Sequence, residues 1–261
     1  MAFRAVESRL NVAAERRIQK TIALLPQWLS RFLGHRTAKP SPPPSYTVYL
    51  WGFVGSLCGL AIIQAVFGHS EYFTSRNAPP IVASFGASAI LCYGAIDVPL
   101  AQPRSLIFGH FFSALTGVIL AIIFDLHLDD DRDGVPRLQW LAASLATAVA
   151  LVVMHFTRTT HPPAGATALL PCVDPGIWAM KWYILPVVLL SSVLVLVSAL
   201  LVNNVQRQYP KFWIAPLPPP QPAPPPQVQG SSPPSSVLIA QPLPKSDSAG
   251  DLENGPQTQT Q

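Results

Sequence analysis

The 261-residue chain is poor in charge: only 11% of its residues are Asp, Glu, Lys or Arg, against about 25% in an ordinary soluble domain. That scarcity excludes a conventional soluble domain, and the 49% hydrophobic content points to a chain that lives mostly in a bilayer. Cysteine is scarce too. Cys58, Cys92 and Cys172 lie in or beside apolar segments without Cys-x-x-Cys spacing, so neither a disulfide framework nor a zinc site is indicated, and no metal is expected. No Asn-x-Ser/Thr sequon marks a glycosylated outer loop. The phosphate-binding glycine loop, the Gly-x-Ser-x-Gly elbow and the His-Glu-x-x-His pair are all missing, and no carboxylates cluster among the apolar runs. The expectation is therefore a protein that is not an enzyme and carries no cofactor.

The charge that remains is uneven. Eight of the 17 Lys and Arg residues precede Pro40, a distribution that fits a cytoplasmic flank and not a nucleic-acid partner. Residues 1–45 form a basic N-terminal segment and a Pro-rich linker. Arg4, Arg9, Arg16, Arg17, Lys20 and Arg31 alternate with Phe3, Leu10, Ile18, Leu24 and Trp28, which predicts an amphipathic helix broken at Pro26 and suited to an anionic membrane face. An organelle transit peptide is the rival reading, against which Glu7 and Glu15 count. Ser41-Pro42-Pro43-Pro44 reads as a stiff extended linker.

Residues 46–210 read as an all-α, multi-pass transmembrane bundle. Val48–Phe67 holds twenty uncharged residues, enough to cross a hydrocarbon core of about 30 Å. Ser105–Phe124, Leu138–Phe156 and Tyr183–Val202 are further spans, and Ile81–Ile96 is a shorter segment rich in small residues. Residues 211–261 are rich in Pro, Gln and Ser. They cannot bury enough apolar surface to fold, and predict a disordered tail whose polyproline runs suit a partner with an aromatic groove.

Between two of the spans lies His161-Pro162-Pro163-Ala164-Gly165-Ala166-Thr167. A Pro-Pro pair removes two backbone donors in surroundings where every N–H and C=O needs a partner, so irregular backbone here is expected to line a cavity. A second small-residue segment, Gly86-Ala87-Ser88-Ala89, resembles Gly165-Ala166-Thr167-Ala168, and each has a Pro-Pro pair upstream and a span on either side. The pattern predicts two copies of a unit of helix, short segment and helix, the arrangement that in transporters marks the substrate site. If both short segments re-enter, the chain crosses four times, and if both cross, six times. In either case the two tails share a side, and the charge distribution places that side in the cytosol.

Three motifs in order, Phe85-Gly86-Ala87-Ser88-Ala89, then Pro99-Leu100-Ala101-Gln102-Pro103-Arg104 with Gly109-His110, then His161-Pro162-Pro163, resemble the signature of the HPP family of integral membrane proteins. The resemblance covers roughly Tyr46 to Tyr209. It implies a membrane-embedded helical domain, usually described as four-spanning, with transport as the proposed function; some plant members are associated with moving nitrite across the chloroplast envelope. The basic head and Pro-rich tail lie outside the matched region, so neither membrane nor substrate is carried over.

Physically these residues suit a small anion. A half-helix starting at Pro162 or Pro163 would offer the N–H groups of Ala164, Gly165 and Ala166 and a favourable dipole, while Thr167 adds a hydroxyl. Gly86 and Ser88 would supply the matching half. His161 is either a titratable gate or a brace that fixes the turn. Gln102 and Arg104 precede a span, where Arg can snorkel to headgroups or select substrate, and His110 sits inside that span, where an imidazole faces the bundle interior. The reading is a transporter or channel for a small inorganic anion, nitrite-like by family resemblance. The alternative is a membrane-anchored scaffold presenting the tail, and a homo-oligomer is left open. Asp129-Asp130-Asp131-Arg132-Asp133-Gly134 opens like a calcium loop, but Trp140 stands where a bidentate Glu is needed, so an acidic solvated turn is expected.

Overall fold

The computed structural model describes residues 2–37, 43–124 and 138–218. The chain divides into two units, Met1–Pro218 and Pro219–Gln261. The second unit, with most of the Pro-rich tail, lies outside the described residues, as does the acidic turn at 129–134.

Among the described residues every regular element is helical. The basic segment forms α1 (Ala2–Ala23) and α2 (Gln27–Phe32), with the break at Pro26. Then follow α3 (Ser45–His69), the single turn α4 (Glu71–Thr74), and α5 (Ser84–Ala89), which runs on into a π turn at Ile90–Gly94. After a 3-10 turn at Pro99–Ala101 come α6 (Pro103–Ile123), α7 (Gln139–Thr157), α8 (Pro162–Val173), α9 (Pro175–Met180) and α10 (Ile184–Asn203). Among the described residues four stretches are long and apolar enough to cross a membrane: Ser45–His69, Pro103–Ile123, Gln139–Thr157 and Pro175–Asn203. The last starts earlier than the expected Tyr183, because α9 and the turn after it extend the apolar run.

The two small-residue segments are the short helices α5 and α8. At 1.5 Å per residue α8 is about 18 Å long, well short of a hydrocarbon core. Each still carries the chain from one end of the bundle toward the other. The start of α3 faces the end of the π turn, where Gly52 meets the Tyr93 carbonyl, and its end faces Pro80, so α5 returns antiparallel to α3. Conversely, α8 runs parallel to α6: Gly109 lies beside His161, and Gly117 beside Ala168.

Close approach at glycine makes this packing possible. The Tyr93 ring lies across α3 so tightly that a Cβ at Gly55 would sit 2.8 Å from Tyr93 Cγ, and one at Gly59 2.6 Å from Tyr93 Cζ. At Gly117 a Cβ would come within 3.0 Å of the Ala168 carbonyl carbon and closer still to its oxygen. Small residues at helix contacts are the usual means of packing in a bilayer, where apolar burial does not separate helix–helix from helix–lipid contact.

Both described tails meet at one end of the bundle. Trp51 Nε1 donates to Gln206 Oε1 at 2.9 Å, and Arg31 Nη2 donates to the Val205 carbonyl at 2.8 Å. Arg36 donates to the Arg207 carbonyl at 2.7 Å and to Asn204 Oδ1 at 3.0 Å. Helix α1 is pinned there as well: the buried Glu15 carboxylate accepts from the backbone N–H groups of Trp213 (3.0 Å) and Ile214 (2.7 Å). Its cationic face, with Arg9, Arg16, Arg17 and Lys20, stays exposed. Arg104 at the start of α6, Arg158 at the end of α7, Arg207 and Lys211 gather at this same end, whereas Arg76 and Lys181 stand at the other.

Candidate functional site

Local backbone chemistry places His161. Helix α7 ends with Arg158 in the left-handed region (φ 55°), and the Thr159 N–H reaches back to the Met154 carbonyl at 2.9 Å, a reversal that turns the chain inward. His161 then precedes a proline, which disfavours the helical region for it, and it is extended at φ −140°. Pro162 and Pro163 open α8 as first-turn residues. The consequence is a histidine just outside the helix, fully buried between α5 and α6. Gly109 makes room for it: a Cβ there would lie 2.8 Å from His161 Cβ and 2.7 Å from the Thr159 carbonyl.

A continuous hydrogen-bonded chain runs from this point. His161 Nδ1 lies 2.8 Å from the Leu100 carbonyl, and His161 Nε2 lies 2.9 Å from Ser88 Oγ on α5. The same hydroxyl is 2.8 Å from Nε2 of His110 on α6. His110 Nδ1 is 2.8 Å from Thr167 Oγ1 on α8, which is 2.8 Å from Ser84 Oγ on α5. Phe85 stacks on the His110 ring at a centroid distance of 4.4 Å, and the two imidazoles meet edge-on at 4.9 Å. Ser84, Ser88, His110, His161 and Thr167 are all buried. One turn along α6 from His110, the buried Ser113 hydroxyl has no hydrogen-bond partner among the described residues.

The repeat expectation acquires a geometric meaning here. Ser88 and Thr167 occupy matching positions in the two small-residue segments, and they hold the two nitrogens of His110 from opposite sides.

Other expected site residues lie apart from this cluster. The Ala164 N–H is bonded to the His161 carbonyl at 2.9 Å, and the two prolines have no N–H, so the start of α8 offers fewer backbone donors than an ordinary helix. A Cβ at Gly165 would meet only Thr147 Cγ2, at 3.7 Å, and at Gly86 nothing within 4 Å. Gln102 is buried as a brace: its Nε2 donates to the Ile96 and Val98 carbonyls, both at 2.9 Å, and its Oε1 accepts from the Lys211 N–H at 2.8 Å. Arg104 donates to the Thr157 carbonyl at 2.8 Å and so ties α6 to the end of α7. Ser84 and Ser113 did not stand out in the sequence. The available signal was spacing: Ser84 lies one helical turn before Ser88, and Ser113 one turn after His110.

A second polar group supports the π turn, whose carbonyls lack regular helical partners. Asn203 Nδ2 donates to the Cys92 carbonyl at 2.9 Å, and Arg207 Nη1 to the Tyr93 carbonyl at 2.8 Å. Burial lowers the pKa of the Arg207 guanidinium, and the Asp97 carboxylate opposes that shift.

Four apolar crossings around a buried chain of imidazoles and hydroxyls define a multi-pass integral membrane protein. The family profile described as "HPP, transmembrane region" matches residues 41–210. The chain therefore belongs to the HPP transmembrane family. It is similar to two transmembrane proteins of Dictyostelium discoideum. With one it shares 30% identity over 208 residues, covering 76% of this chain and 69% of that protein. With the other it shares 36% over 167 residues, covering 62% of this chain and half of that protein. No solved structure matches.

Proposed function

We propose that this protein moves a small monovalent inorganic anion across its membrane, with the His161, Ser88, His110 and Thr167 cluster as the central site. The carrying observation is the cluster itself. Imidazoles are costly at this depth, and an ionisable group inside a bilayer is a candidate for function. Helices α3, α5, α6, α7, α8 and α10 contain no Asp or Glu, so the site is rich in donors and free of the carboxylates a cation would need. The unpartnered Ser113 hydroxyl adds a donor one turn from His110, and a buried hydroxyl of this kind calls for a missing partner. The family resemblance favours a nitrite-like anion.

The test is uptake of nitrite, nitrate, chloride and formate by liposomes holding the purified full chain. Uptake of at least one monovalent anion above that of protein-free liposomes, reduced by His110→Asn, supports the reading. Rates equal to those of protein-free liposomes for all four would overturn it.

A further inference from the structure

Hydrogen-bond direction in the cluster has a fixed end. The Leu100 carbonyl can only accept, so His161 Nδ1 carries a hydrogen and, in the neutral ring, Nε2 is a bare acceptor. Ser88 then donates to His161 Nε2 at 2.9 Å rather than to the more distant Ser84 carbonyl at 3.3 Å, His110 Nε2–H donates to Ser88, and the Thr167 hydroxyl turns from Ser84 to the bare His110 Nδ1. From Thr167 through His110 and Ser88, each donor points toward His161.

Entry of one proton at Thr167 reverses the whole chain: Thr167 passes its own hydrogen to His110 Nδ1, His110 passes its Nε2 hydrogen to Ser88, and Ser88 passes its own to His161 Nε2. His161 Nε2–H then donates to Ser88, and Ser88 donates to His110 Nε2, which has lost its hydrogen. His110 Nδ1–H donates to Thr167, whose hydroxyl turns to Ser84. Both arrangements use the same heavy-atom positions. They differ by one proton and by the tautomer of His110, so the change needs only hydroxyl rotation and proton shifts along existing bonds.

Among the described residues no carboxylate bonds the cluster, and Asp97, on the segment before Leu100, is exposed and pairs with Lys211 at 2.8 Å. Of the titratable and charged groups on the surrounding elements, Arg158 at the end of α7 is exposed. Arg104 on α6 bonds the end of α7, and His155 on α7 is exposed. The Cys92 thiol and the Tyr209 hydroxyl both turn to the Ala101 carbonyl. Tyr93 bonds Ser198, and Cys172 on α8 faces the Gly117 carbonyl. A buried imidazolium without a paired anion is strongly penalised, and an anion beside it removes that penalty.

We infer that the anion and a proton enter this site together, the proton relayed from Thr167 through His110 and Ser88 and held at His161, so that transport is one-to-one and electroneutral. The inference rests on the anion-transport reading above. No bond other than O–H and N–H changes, and the pair arrives and leaves with zero net charge.

Nitrate is the suitable probe, because its conjugate acid is too strong to leak across lipid in neutral form. In liposomes holding the full chain, an inside-alkaline gradient of one pH unit is expected to drive nitrate accumulation of about tenfold at equilibrium, unchanged when the membrane potential is clamped. Nitrate uptake that follows the membrane potential and ignores the pH gradient would overturn the inference while leaving anion transport intact. Absence of uptake would remove the transport reading and the coupling with it. The relay has its own readout in nitrogen-15 spectra of the histidines in nanodiscs. His110 is expected to change from the Nε2–H to the Nδ1–H form as His161 gains its second proton, at higher pH in nitrate than without it. A His110 tautomer unchanged while His161 titrates would refute the relay.

Discussion

His110 and His161 are joined through a single hydroxyl: Ser88 Oγ lies 2.8 Å from Nε2 of the first and 2.9 Å from Nε2 of the second. The two histidines come from α6 and from the residue before α8, and the hydroxyl from α5. One serine therefore links three elements.

Replacing that serine separates structure from function. Ser88→Ala is expected to cost about 0.6–2 kcal/mol of stability, the range for interhelical hydrogen bonds in bilayers. Nitrate uptake is expected to fall much further, because the two histidines lose their link. Thermal unfolding in detergent and uptake in liposomes, measured on the same preparation, check this. Uptake that falls only in proportion to folded protein would make Ser88 a brace.

Helix packing makes a different prediction. Gly117→Ala forces a Cβ against the Ala168 backbone, which cannot move without shifting α8, and overpacking of this kind costs about 1–3 kcal/mol. Gly165→Ala adds a Cβ with one ordinary contact at 3.7 Å, and is expected to unfold at the wild-type temperature. Comparison of the two melting curves tests whether α6 and α8 touch as described.

Arg207 is expected to matter for stability. Arg207→Gln withdraws the donor from the buried Tyr93 carbonyl, a loss of about 1–3 kcal/mol for an unsatisfied buried acceptor. A lower melting temperature with intact helical circular dichroism is the expected result.

Topology is open to a direct test. The start of α3 and the segment after α10 meet at one end of the bundle, so epitope tags at the two termini are expected to be cleaved from the same membrane face. Protection of one tag with cleavage of the other would contradict the arrangement.

Much of the architecture was legible in the sequence. Uncharged runs of helical length located the spans, and Pro-Pro pairs with small residues located α5 and α8, because both signals are local. The positions of His110 and His161 in apolar surroundings marked them as candidates. Their pairing was not legible, since it depends on the register between α6 and α8, which is set by Gly109 and Gly117 across some fifty residues of chain. The backbone bonds of Gln102 and Arg104 were not legible either. They sit in a matched motif, but their polar atoms close backbone gaps at helix ends, and a sequence does not show which carbonyls a fold leaves open. The π turn at Ile90–Gly94 was equally invisible, although the Asn203 and Arg207 that satisfy it lie one turn apart near the end of α10.

The central claim, that an anion passes through the histidine cluster, is tested most directly by nitrate uptake into liposomes holding either the wild-type chain or His110→Asn at equal protein density. The account predicts uptake well above that of protein-free liposomes for the wild type, and a loss of about tenfold or more for the variant, equivalent to 1.4 kcal/mol or more on the transport barrier. Wild-type uptake no faster than lipid alone, or equal rates for the two proteins, would contradict it.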